Sequence, residues 1–276
     1  MHILNDLFKN FIMMAQNKKN TATLLATPGY ITPMIAAKHP NIITFQSKRT
    51  GGVSCSPYNS LNLGNNTGDS AENVQENLIR LCRIVNIDYN QLVSSEQVHG
   101  TNILVAETPG RYHGYDAFIT NKKNIFLCIF TADCYPILIY DPHHQAVGAV
   151  HAGWKGTAGN IVMKTVKAMQ QQFHSHPEEC FAYIGTGISG EAYEVDLAVA
   201  EKFPSNCRYP SACAGSNEKY LLDLGLINNQ QLCASGIPQS HIEQSPYCTY
   251  RDSTMFFSYR RDNGITGRMV SLIGIR

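Results

Sequence analysis

The chain has 276 residues, with 22 Lys and Arg set against 21 Asp and Glu. A formal net charge of +1 and only 16% charged residues exclude a basic nucleic-acid binder by bulk charge and a charge-rich disordered chain. At this length one large domain buries roughly three quarters of its unfolded surface, so neither disulfides nor a metal are needed merely to hold a fold together.

No apolar run reaches the ~18 residues that a membrane-spanning helix requires. The opening MHILNDLFKNFIMMAQNKKN is apolar in part, but Asp6 and Lys9 interrupt it and no small-residue cleavage site follows. Residues 1–40 are therefore read as an N-terminal extension of uncertain structure, and 41–276 as a single catalytic domain. Nine cysteines, an odd number with no CxxC pair, point to reduced thiols and a cytoplasmic location.

Ile42 to Phe45 reads as a short strand. It leads into a Gly/Asn/Ser-rich loop, 47–69, which carries Lys48 and Arg49 ahead of Gly51 and Gly52. A loop this long in a compact protein is functional or disordered, and its two cations make it a candidate anion holder. Residues 70–86 predict a helix. Asp69 is placed as N-cap with Glu72 three residues on, and Val74, Leu78, Leu81 and Val85 share one face. Residues 91–107 switch to β-like alternation around Gln97-Val98-His99-Gly100.

Residues 124–157 are the informative centre. Strands are predicted at Ile125 to Thr131, Pro136 to Tyr140 and Ala146 to His151, with a turn at Asp141 to His144. A Gly-rich loop, Gly153 to Gly159, opens a helix over 160–173. Further on, Phe181 to Ile184 reads as a strand, 185–190 as a Gly-rich loop, and 196–203 and 222–235 as helices, the second stopped by Gly236. Thr254 to Tyr259 and Arg268 to Ile275 read as closing strands. The pattern is mixed α+β in one domain, with hairpin connections that argue against a purely parallel sheet.

Three soft-ligand residues stand at strand ends beside turns: His99, Cys134 and His151. Cys134 and His151 fall on neighbouring strands of a predicted hairpin. Two His and one Cys around zinc would leave a fourth tetrahedral position open, the arrangement of catalytic sites. On spacing alone, three unrelated residues remain the alternative.

The segments QVHG, TADCYPILIYDP, VGAVHAGWKGT, YEVDL and FFSYRRDNGITGRM occur in that order, preceded by SKRTGGVSCSPYNSLNLG and GDSAENVQENLIRL. Together they resemble the family named multicopper polyphenol oxidoreductase (laccase domain) or purine nucleoside phosphorylase, which includes peptidoglycan-editing factors. The resemblance runs from about residue 42 to the C-terminus. It implies a four-layer α/β/β/α fold, a cytoplasmic enzyme, and zinc held by His99, Cys134 and His151. It implies phosphorolysis of adenosine, inosine, guanosine and 5′-methylthioadenosine, with deamination of adenosine. The stretch IGTGISGEAYEV lacks a proline that the family often carries before YEV, which leaves the shape of that loop open.

Within that frame Asp133, next to Cys134, is a candidate proton shuttle, with an orienting role as the alternative. Arg49 is the candidate phosphate ligand, assisted by Asn62, and Lys155 before a helix start is a further anion candidate. Trp154 is the only tryptophan, with a purine-stacking or a structural role. The expected partners are a purine nucleoside and phosphate, with no nucleic acid and no membrane, in a monomer or small homo-oligomer. Copper could occupy the same site, since Cu²⁺ outcompetes Zn²⁺ for nitrogen and sulfur. A true laccase needs repeated His arrays feeding a trinuclear cluster, which the ten histidines do not supply. The remaining alternatives are a metal-free hydrolase with Cys134 as nucleophile and His151 as base, a hydrolase editing a cell-wall precursor, and a zinc-stabilised interaction module, which would need a fourth protein ligand that the sequence does not offer.

Overall fold

A computed structural model describes residues 25–27, 29–211 and 219–276. Phe126–Thr131, Tyr135–Asp141, Ala146–Ala152 and Met269–Ile275 are buried along almost their whole length. Strands with no polar face must be covered on both sides. Two sheets packed face to face, with helices outside, satisfy that demand.

The first sheet has seven strands, in the order Leu25–Thr27, Tyr30–Thr32, Ile42–Ser47, Met269–Ile275, Phe126–Thr131, Leu92–Glu96 and Gly110–His113. The second has six, in the order Ile242–Gln244, Phe181–Ile184, Tyr135–Asp141, Ala146–Ala152, Ala117–Thr120 and Ile103–Val105. A small third sheet joins Glu194–Asp196, Lys219–Leu222 and Arg208–Pro210.

Side-chain alternation assigns the layers. Leu127, Ile129 and Ile273 of the first sheet meet Leu138, Tyr140 and Val147 of the second in the central core. Cys128 and Leu272, one residue out of phase, face the other way, where helix Ala71–Val85 covers them with Val74, Leu78 and Leu81. Ile137, Ile139 and Val150 of the second sheet face helices Ile161–Phe173 and Leu224–Ala234. The result is the expected four-layer α/β/β/α arrangement, mixed in strand direction.

Several local expectations are corrected. The helix Ala71–Val85 is capped by Ser70, whose side chain accepts from the Asn73 N–H at 3.1 Å. Asp69 instead receives the Ser54 hydroxyl at 2.6 Å and the Asn62 amide at 3.0 Å, which fastens the long loop to the helix start. Residues 153–159 contain a short helix, Trp154–Ala158. Thr254 to Tyr259 forms turns, with the Met255 and Phe256 N–H groups both donating to the Asp252 carbonyl. Its apolar character serves burial, since Phe256 and Phe257 are fully enclosed. The helical stretch 222–235 is Leu224–Ala234, followed as expected by Gly236 at φ +99°.

Tyr30–Thr32 pairs antiparallel with Ile42–Ser47, and Ile31 is fully buried. Residues 1–24 of the N-terminal extension lie outside the described residues. Among the described residues no helix is long and apolar enough to cross a membrane.

Candidate metal centre

The β-like stretch 91–107 resolves into two strands in different sheets, Leu92–Glu96 in the first and Ile103–Val105 in the second. His99 lies in the crossing between them. Cys134 lies in a later crossing from the first sheet to the second, between Phe126–Thr131 and Tyr135–Asp141. His151 lies near the end of Ala146–Ala152, paired with Pro136 on the adjacent antiparallel strand. The hairpin expected from the sequence therefore exists, and it brings Cys134 and His151 together. One ligand atom from each of His99, Cys134 and His151 lies within 4.8 Å of the others. Among the described residues no fourth His, Cys, Asp or Glu joins them.

The residue that organises this group is Asp116, which is fully buried. Its carboxylate accepts from His151 Nδ1 at 2.8 Å. It also accepts three successive backbone N–H groups, from Val98 at 3.2 Å, His99 at 2.9 Å and Gly100 at 2.7 Å. Those bonds hold His99 at φ +59°, a backbone conformation that a β-carbon disfavours. With Nδ1 committed to Asp116, His151 keeps Nε2 for Cys134. Sequence reading missed Asp116. The available signal was an acidic residue directly before Ala117–Thr120, a strand buried at every position.

The donors fit a metal ion in chemistry as well as in distance. Two imidazoles and a thiolate suit zinc or copper. Gly153 leaves the necessary room: a β-carbon there would stand 3.0 Å from Cys134 Sγ and 3.0 Å from His99 Cδ2. Burial pushes the Cys134 thiol up, but His151 and His99 outweigh it and bring it down to about 6. Burial lowers His151, but Cys134 and Asp116 outweigh that and raise it to about 9. The thiol is thus readily ionised, as a metal ligand or a nucleophile must be.

The other predicted residues are placed differently from one another. Asp133, at φ +96°, is buried, and its carboxylate accepts the Thr249 hydroxyl at 2.6 Å and the Arg260 N–H at 2.7 Å. Its carbonyl accepts the Ile188 N–H, so it ties three loops together beside Cys134. Arg49 donates to the carbonyls of Asn59 and Ser253, and its guanidinium lies 4.6 Å over the Phe257 ring. Asn62 is fully buried and links Thr67 and Asp69 to the N–H groups of Gly64 and Arg268. Lys155 is exposed, with its ammonium 5.6 Å over Trp154. The chain's His-x-His pair, His174 and His176, stands at the far end of helix Ile161–Phe173, with the His176 ring 5.6 Å from His144.

A cavity of about 210 Å³ opens at this group, lined by His99, Cys134 and His151. Two further residues in its wall, Arg111 and Arg268, carry fixed positive charge. Arg49, Asn62 and Lys155 do not line it.

A sequence model of the family described as multi-copper polyphenol oxidoreductase laccase matches residues 43–276. The chain belongs to this family. Family relatives carry an enzyme's name. The protein named purine nucleoside phosphorylase YlmD of Bacillus subtilis (strain 168) is 35% identical over 247 residues, covering 85% of this chain and 89% of its own length. A Deinococcus radiodurans protein named purine nucleoside phosphorylase is 37% identical over 258 residues, covering 91% of this chain and 95% of its own. The crystal structure of YlmD from Geobacillus stearothermophilus, 33% identical, superposes with a TM-score of 0.83 over 92% of this chain and 98% of that one. The four-layer fold is therefore the family's fold.

Proposed function

We propose that this protein is a zinc-dependent, cytoplasmic purine nucleoside phosphorylase, converting adenosine, inosine, guanosine or 5′-methylthioadenosine plus phosphate to the free base and ribose 1-phosphate, with adenosine deamination as a second activity. The observation that carries the reading is the His99, Cys134 and His151 group, open to a cavity and braced by Asp116. The names of the relatives support the reaction class. Zinc is favoured over copper because the donor set is a single N₂S group with one open position, the form of catalytic zinc sites. A bound ion supplies Lewis acidity at that position.

The chain's own residues do the rest. Asp116 fixes the tautomer of His151 and the backbone of His99. Asp133 acts through its loop contacts to position Cys134, and proton transfer falls to another group. In the reaction the N9–C1′ bond breaks and a C1′–O bond to phosphate forms. The test is incubation of zinc-quantified wild type and Cys134→Ala protein with adenosine and phosphate, with products separated by chromatography. Adenine or hypoxanthine together with ribose 1-phosphate, from wild type alone, is the expected result. Zinc-loaded wild type that leaves all four nucleosides intact would defeat the proposal.

One observation favours a second reading. The acidified Cys134 thiol beside a cationic His151 is also the pairing of a cysteine hydrolase, for instance one acting on a peptide-like cell-wall precursor. Hydrolysis of such precursors that survives complete removal of metal would select it.

A further inference from the structure

We propose that Arg268, with Arg111, forms the oxyanion-binding wall of the metal cavity, and that inorganic phosphate is held there. Arg268 is anchored as a built side chain is. Its backbone N–H donates to Asn62 Oδ1 at 2.9 Å, and its Nη1 donates to the carbonyls of Thr266 and Gly267 at 2.9 and 3.0 Å. Its stem lies so close to the loop at Gly64 that a β-carbon there would come within 2.5 Å of its Cγ. Its guanidinium lies 5.4 Å over the Tyr259 ring. Those contacts fix the plane of the fork and leave Nε and Nη2 without a partner among the described residues.

Arg111 stands opposite Ser94 on the exposed edge strand Gly110–His113. It lines both the metal cavity and an adjoining one of about 460 Å³. Among the described residues neither arginine forms an ion pair. Glu96, the carboxylate in the same wall, is itself within 3.3 Å of His113. Two guanidinium groups without an ion pair, beside a donor group that would hold a zinc cation, make a site for a doubly charged oxyanion, gripped by planar N–H pairs. Arg49 does not line this cavity, and its Nε and Nη1 donate to the carbonyls of Asn59 and Ser253, which do not line it either.

The inference rests on the phosphorylase reading only for the identity of the anion. Its test is therefore phosphate binding itself, measured by calorimetry on zinc-loaded protein, with the KM for phosphate as a second readout. Arg268→Gln is expected to weaken phosphate binding at least tenfold, and Arg111→Gln several-fold, with zinc content unchanged. Arg268→Lys, which keeps the stem packed on Gly64, is expected to recover part of the loss and guards against misfolding of the Gln variant. Wild type that binds no phosphate, or variants that bind it as wild type does, would overturn the proposal. So would Arg49→Gln raising the KM for phosphate while Arg268→Gln leaves it alone. Phosphate bound through Arg268 by a protein that cleaves no nucleoside would sink the phosphorylase reading and leave the anion site standing.

Discussion

Asp116 Oδ1 accepts from His151 Nδ1 at 2.8 Å and from the backbone N–H of His99 at 2.9 Å. A single carboxylate oxygen therefore sets the ring of His151 and the backbone of His99. Asp116→Asn is expected to lower zinc affinity about 10–100-fold, the usual effect of losing a carboxylate behind a metal-bound histidine. Competition against a chromophoric chelator measures it. Unchanged affinity in a folded variant would refute the bracing role.

The thiol of Cys134 gives a pH prediction for metal-free protein. Its folded value is drawn down to about 6, below the ordinary thiol value of about 8.5. Alkylation by iodoacetamide should accordingly rise through a midpoint near pH 6, with the thiol protonated and slow below it and ionised above it. Asp116→Asn removes one of the groups that keep His151 cationic, so the midpoint should move up. Peptide mapping separates this site from exposed Cys55. Burial pushes Cys82 up to about 11 and Cys180 up to about 12, so both should stay unreactive across the range. A midpoint near 8.5 at Cys134 would contradict the pairing.

Gly153→Ala places a methyl group 3.0 Å from both Cys134 Sγ and a carbon of His99. Backbone strain is not at issue, since Gly153 has φ −78° and ψ 171°, which any residue adopts. The expected outcome is substoichiometric zinc, read by elemental analysis, with a normal far-ultraviolet circular dichroism spectrum. Full zinc occupancy would show that the donors can retreat.

Gln46 ties the first sheet to the loop that follows Phe181–Ile184 of the second. Its amide donates to the Thr186 carbonyl at 3.1 Å and accepts the Thr186 N–H at 2.6 Å, in full burial. Gln46→Leu strands both backbone groups, and unsatisfied buried groups cost about 1–3 kcal/mol each. Chemical denaturation is expected to show a loss of about 2–4 kcal/mol. A loss within experimental error would mean that water replaces the side chain.

His99, Cys134 and His151 were legible because each lies inside a motif of the family, and the strands around Cys134 and His151 are apolar enough to be read directly. Asp116 was not, because a lone acidic residue in a turn carries no periodic signal and its partners are backbone groups 16 to 18 positions back and the His151 ring 35 positions on. Arg49 was favoured as an anion ligand by its Gly-rich neighbours. The structure spends its guanidinium on the carbonyls of Asn59 and Ser253, the second more than 200 positions along the chain. Arg268 offers no such signal: the nearest acidic residue in the sequence, Asp262, bonds to Arg261 and Thr266 and leaves it without an ion pair among the described residues. Thr254 to Tyr259 has a strand's composition because Phe256 and Phe257 fill a core, while its backbone turns.

His99 and Cys134 each occupy a point where the chain leaves one sheet for the other, and His151 belongs to the second sheet alone. An ion gripping all three is a rivet through the seam of the sandwich. The bond angles at that rivet depend on how the two sheets slide against each other. Substitutions deep in the central layer, such as Leu138 or Ile273, can thus alter the ion's coordination from a distance without touching a ligand. Metal affinity becomes a gauge of sheet alignment, readable in variants that keep His99, Cys134 and His151 intact.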